Sequence, residues 1–172
     1  MGDFKSIVVE RKINPYHAFL SSFIAGFAEL GMINQGSMNI VSRRAADYLF
    51  SYLEARDVLP KLKKFDNVYS PECIRYHVDI VNKILNLMGE YELKIRDQGE
   101  IVLLITGNLC RICPKGVGGA AIKGSFCPIP NFIEKLVNLM IGVDVLKLQT
   151  KGIEREGEHC VANFTLMSAQ ES

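Results

Sequence analysis

Sulfur is the most chemically pointed feature of this sequence. Three of its five cysteines, Cys110, Cys113 and Cys127, fall within the glycine-rich segment "CRICPKGVGGAAIKGSFCP", and a fourth, Cys160, follows in "EHCVANF". Cys110 and Cys113 have the Cys-x-x-Cys spacing of a zinc knuckle, where a tight turn lets two thiolates and nearby backbone N–H groups converge on one ion. A tetrahedral site tolerates scatter along the chain, because its ligands meet only in space, at about 2.3 Å from zinc. Cys127 and Cys160 are the expected partners of the knuckle. His159 stands in reserve, although a residue adjacent to Cys160 on a strand points to the opposite face.

Three other chemistries compete for the same residues. A redox Cys-x-x-Cys normally opens a helix, whose N-terminus lowers one thiol pKa; Pro114 and the following glycines argue against a regular helix there. A catalytic thiol needs a histidine and an orienting Asn or Asp, and His17, His77 and His159 offer no convincing pairing. Inert core sulfur is the remaining alternative, and it is the preferred reading of Cys73, in the first turn of an expected helix. The glycines of "GVGGAAIKGS" lack the Gly-Lys-Ser/Thr order of a phosphate loop, since Lys123 precedes Gly124. A tightly turning segment, able to act as a lid over a cavity, is the simpler expectation.

The elements that must position these groups are read from periodicity. Ile7 to Ile13 reads as a strand. In "PYHAFLSSFIAGFAELG", Tyr16, Phe19, Leu20, Phe23, Ile24 and Phe27 share one helical face, with Asn14 as N-cap, Pro15 at the first position and Gly31 at the end. A second helix is expected over Ser37 to Ala55. A third, Pro71 to Met88, carries two apolar stripes, the second of them Ile80, Ile84 and Leu87, and is expected between two layers. Period two then replaces period 3.6: "YELKIR" and "IVLLIT" form a hairpin around "DQGE". A fourth helix in "PNFIEKLVNLMIG" stops at Gly142, and "VDVLKLQT" and "CVANFTLM" read as two more strands. The fold class is α+β, an antiparallel sheet packed against a layer of helices in a single domain over residues 1–172.

Composition narrows the function. The 172 residues are 48% apolar with a mean hydropathy of +0.13, which favours an apolar cavity, an oligomer interface, or both. A net charge of +1 with scattered Lys and Arg gives no footprint for nucleic acid. No apolar run is long enough to span a bilayer, and the N-terminus lacks a signal-peptide core. Gly2 and Ser6 match the myristoylation pattern, but Asp3 and the run that follows read as ordinary fold. Free cysteines without a secretion signal point to a reducing, cytoplasmic setting.

The segment "CPIPNFIEKLVNLMIGVDVLKLQTKGIEREGEHCVANFTL" resembles the end of the 4-vinyl reductase domain family. It has a Cys-Pro opening a helix, a Gly-hydrophobic step into a strand, then a Gly, an acidic residue and a Cys before a last aromatic strand. The chain length suits the free-standing archaeal-type hydrocarbon-binding proteins of that family. The resemblance implies a fold shared with the haem-based nitric oxide sensor domain and with trafficking-complex subunits. It further implies an enclosed apolar pocket, a structural zinc near its mouth, and a homodimer. Cys127 and Cys160 match two of the family's cysteine ligands. Gly152 stands where another family cysteine is common, so Cys110 and Cys113 would have to complete the set. Haem is not implied, because no histidine sits in a matching motif.

The expected function is therefore binding or sensing of an apolar small molecule, without nucleic acid or a membrane span. The cavity is expected to be lined by Tyr16, Phe19, Phe23 and Phe27, by Tyr48 and by Phe132, with His17 as a further polar contact. Reduction of a tetrapyrrole vinyl group ranks lower, since no dinucleotide fingerprint supplies a hydride. A dimeric assembly subunit is the third reading.

Overall fold

Proline and asparagine punctuate the helices much as elementary capping rules require. In the computed structural model, which describes residues 4–96, 99–121 and 126–168, α2 spans Pro15–Glu29 behind an Asn14 N-cap. The Asn14 side chain accepts from the His17 backbone N–H at 2.8 Å, and the His17 ring accepts from the Asn14 N–H at 3.3 Å, a reciprocal cap. Gly31 follows in the left-handed region at φ 71°. α3 (Gln35–Ala55) is capped the same way by Asn34 and Ser37. α4 (Pro71–Leu85) begins at Ser70 and ends at Asn86, itself left-handed. α5 (Ile129–Ile141) ends at Gly142, φ 87°.

The sheet has four described strands: β1 (Tyr91–Ile95), β2 (Glu100–Thr106), β3 (Leu146–Glu156) and β4 (His159–Leu166). Their order is β1-β2-β4-β3, and every pairing is antiparallel. β1 and β2 form the hairpin; Asp97 and Gln98 of its turn lie outside the described residues. The last strand inserts between β2 and β3, with α5 as the connection that carries the chain across. β3 changes register against β4 between Leu148 and Ile153.

One face of the sheet carries the core. Ile101, Leu103 and Ile105 of β2 with Ala162 and Phe164 of β4 pack on Ile74, Val78 and Val81 of α4 and on Ile133, Leu136 and Val137 of α5. Glu134 ties three elements together: it takes a 2.5 Å ion pair from Arg43 of α3 and a 3.2 Å bond from the Leu148 N–H of β3. The α+β architecture is that expected from the periodicity.

Two local expectations are corrected. Residues 4–10 form helix α1 (Phe4–Glu10), not a strand from Ile7. β-propensity spans only about 1 kcal/mol per residue and depends on packing, and a strand needs a partner edge as well. α4 buries a single stripe, Cys73, Ile74, His77, Val78 and Val81; Ile84 of the second stripe is exposed, so the helix lies on the core and is not enclosed by it. Gly2 of the acylation pattern, and residues 122–125 of the expected lid, fall outside the described residues.

Candidate metal centre and ligand cavity

The sulfur site is built where β2 gives way to the cysteine loop. The β2–β4 register sets Cys160 directly opposite Ile105, on the helix-facing side of the sheet. The Gly107 N–H bonds Glu158 O at 2.9 Å, bringing the start of the loop against the end of β4. A Cβ on Gly107 would lie 3.4 Å from the Cys160 Sγ. Cys127 arrives from the segment that leads into α5, one residue before its N-cap Pro128. Cys110, Cys113, Cys127 and Cys160 thereby line one hollow of about 520 Å³, although 50 residues of sequence separate the first from the last.

The loop is held by backbone and by arginine. Cys113 Sγ accepts from the Gly116 N–H at 3.2 Å, and the Cys113 carbonyl accepts from Val117 and Gly118. Arg11, just past α1, donates to the Cys110 carbonyl at 2.9 Å. Arg111, inside the knuckle, donates to the Arg11 carbonyl at 2.6 Å and the Asn86 carbonyl at 2.9 Å. The fully buried Ser21 hydroxyl of α2 donates to the Arg111 carbonyl at 3.2 Å.

Arg11, Lys115 and Arg155 join the sulfurs on the wall of this hollow, with Glu154 as the one acidic side chain among its lining residues. Arg155 is the cross-strand partner of Cys160. Burial raises the thiol pKa of Cys110, to about 12, and that of Cys127 well above the usual range, and the neighbouring sulfurs add to both shifts. The backbone of Ile112 and of Ile129, respectively, pulls in the opposite direction. Cys160 is raised by burial and by Cys113, against the pull of Arg155. Crowded thiols that resist ionising separately are a donor set that a divalent cation would ionise together. As the side chains are placed, no three His, Cys, Asp or Glu groups among the described residues stand close enough together to hold one ion. The four cysteines share a hollow without converging on a point.

The remaining candidates are elsewhere. Cys73 is fully buried, and its carbonyl takes a 2.8 Å bond from His77 Nδ1, with the sulfur 3.6 Å from the same nitrogen. With that nitrogen donating to a carbonyl one helical turn away, and burial raising the thiol pKa, this pair is packing. His17 is also fully buried; with Nδ1 accepting from Asn14, Nε2 is the protonated nitrogen and donates to the Leu85 carbonyl at 3.2 Å. It serves as a cap and a tie to α4, not as a lining group. His159 is exposed and does not line the sulfur hollow.

A second hollow, of about 500 Å³, lies between α2, α3 and the start of α5. Of the six residues expected to line a ligand cavity, Tyr16, Phe23, Phe27 and Phe132 do so. Phe19 and Tyr48 do not: they are 68% and 75% exposed, Phe19 stacked on Phe23 outside the rim and Tyr48 one turn past Ala45, the last α3 residue of the wall. Met38, Ala45, Leu87, Ile112 and Ile129 complete a nearly all-apolar lining in which Ser42 and the Tyr16 hydroxyl are the polar groups. The Ser42 hydroxyl is already committed to the Met38 carbonyl at 2.7 Å.

Arg11, Arg155, Lys115 and Ile112 escaped the sequence reading. Single charges in an evenly mixed chain carry no signal; for Ile112 the one available signal was its position between the two cysteines of the Cys-x-x-Cys pair. No helix of the described residues is long and apolar enough to cross a membrane. No curated protein and no solved structure matches the chain. A family model described as the MJ0207 family matches residues 31–166, a span that takes in the cysteine loop and all four strands, and the chain belongs to that family.

Proposed function

We propose that this protein binds or senses a hydrophobic small molecule in the apolar hollow, and that its four-cysteine hollow holds a zinc ion. One observation carries the reading: four sulfurs distant in sequence share one hollow, directly beside a cavity of ligand size lined almost wholly by hydrocarbon. Cys110, Cys113, Cys127 and Cys160 would hold the metal, with the Gly116 N–H on sulfur and the Arg11 and Arg155 guanidiniums offsetting thiolate charge. When bound, zinc supplies a tether and no redox chemistry. The protein's own residues do the rest. Phe23, Phe27 and Phe132 take up apolar surface, and the Tyr16 hydroxyl offers a polar contact at one end.

The likeness of "CPIPNFIEKLVNLMIG" and the strands after it to the 4-vinyl reductase domain family supports the same reading. So does thiol chemistry suited to a reducing, cytoplasmic compartment. Phe19, Phe23, Val41, Tyr48 and Tyr52 are each more than half exposed on α2 and α3, and a second copy of the chain is the proposed cover for them.

Native mass spectrometry of the purified chain tests all parts together. One zinc per chain, a released apolar compound and a mass of two chains are expected. A chain that fails to take up added zinc, or fails to take up an apolar fluorophore, overturns the reading.

A further inference from the structure

The two hollows are built from opposite sides of the same two short segments. In the knuckle, Cys110 and Cys113 line the sulfur hollow, while Ile112 between them, 3% exposed, lines the apolar one. At the entrance of α5, Cys127 lines the sulfur hollow, Pro128 the apolar one, and Ile129 both. A third tie runs through α2, the aromatic wall. The Ser21 hydroxyl holds the Arg111 carbonyl at 3.2 Å, and a Cβ on Gly118 would meet the Ser21 carbonyl oxygen at 2.4 Å and Ala25 Cβ at 2.7 Å. The cysteine loop therefore packs directly on the back of the cavity wall.

From this geometry we infer that metal and apolar ligand regulate one another: a cation at the four sulfurs raises the affinity of the apolar hollow, and a ligand there tightens the metal. The inference rests on the reading that each hollow is a binding site, and adds a coupling between them. Drawing the four thiolates together fixes the positions of residues 110–113 and 127–129, so Ile112, Pro128 and Ile129 are set before the ligand arrives. Without the cation those segments are held by hydrogen bonds such as Ser21 to the Arg111 carbonyl and Arg11 to the Cys110 carbonyl, and the ligand must supply the remaining order itself. Both sites bias one packed element, and linkage then requires the two effects to be equal in size.

Fluorescence titration with 1-aminoanthracene, on the full reduced chain loaded with zinc or stripped by a chelator, measures one arm. Competition for zinc against a chromophoric chelator, with and without saturating 1-aminoanthracene, measures the other. The probe is expected to bind at least about five-fold tighter to the zinc-loaded chain, and zinc to gain by the same factor. If both bind and neither affinity depends on the other, the coupling is refuted while the two-site reading stands; if zinc or probe fails to bind at all, both are refuted. Ile112→Ala retains every thiol and truncates the side chain that the knuckle presents to the apolar hollow, so the coupling factor should fall. An unchanged factor in that variant, or in the milder Ile112→Val should the alanine form not fold, overturns the route through Ile112.

Discussion

The sulfur hollow and the apolar hollow are nearly equal in volume, about 520 and 500 Å³, and differ in almost everything else. One gathers sulfur and guanidinium groups from a loop, two strands and the end of α1. The other is walled mainly by three helices whose lining residues recur at helical spacing, joined by Ile112 of the cysteine loop and Pro128. Size does not distinguish a metal site from a ligand cavity; the chemistry of the lining does, and so does the kind of element that supplies it. Loop and strand ends bring together groups far apart in sequence, whereas helix faces present groups three and four residues apart.

The largest effect that would break this contrast is at the metal. Cys127→Ser should lower zinc affinity by more than about 100-fold, beyond what loss of an outer-shell partner costs, as read by chelator competition. Retained affinity would mean that Cys127 belongs to the apolar side after all. Phe132→Ala removes a side chain that is 8% exposed and belongs to the main core as well as the cavity wall. A loss of about 3 kcal/mol is expected, lowering Tm by roughly 6–12 °C in a thermal melt.

Gly118→Ala, on the seam between the hollows, forces a methyl against backbone that cannot yield, and should cost about 1–3 kcal/mol in a denaturant melt. Acid sharpens the comparison from the apolar side. Burial holds the imidazoles of His17 and His77 below their ordinary pKa, so on acidification the unfolded chain takes up protons first. Their contribution to stability is complete above about pH 6.5 and is lost progressively below it, down to the folded pKa values. The urea midpoint of the metal-free chain should therefore be lower at pH 5.5 than at pH 7.5. The smallest effect is on ligand binding: Tyr48→Ala should leave 1-aminoanthracene binding unchanged, because the ring lies outside the cavity.

The apolar hollow was the more legible of the two. Tyr16, Phe23 and Phe27 mark one helix face by spacing alone, and Phe132 marks another. Phe19 and Tyr48 carry the same pattern, yet they sit at the edges of their stripes, where the next helix determines whether a ring faces protein or water. The sulfur hollow was legible as a set of residue types, with Cys-x-x-Cys the only local sign. Its cationic wall was not, because Arg11 reaches the loop through α1, a segment whose β-branched residues read as a strand.

The sequence by itself determined the four longer helices, the Asn14, Gly31 and Gly142 caps and the switch from period 3.6 to period two. Those depend on interactions a few residues long: a side chain accepting an N–H at an N-cap, a glycine adopting positive φ, apolar residues repeating on one face. Only the tertiary structure decided that β4 pairs with β2 so that Cys160 faces Ile105, and that Ile112 and Cys113 turn to opposite hollows. Those are outcomes of strand order and of which layer a loop packs against, set by core burial across the whole chain, which no local spacing encodes.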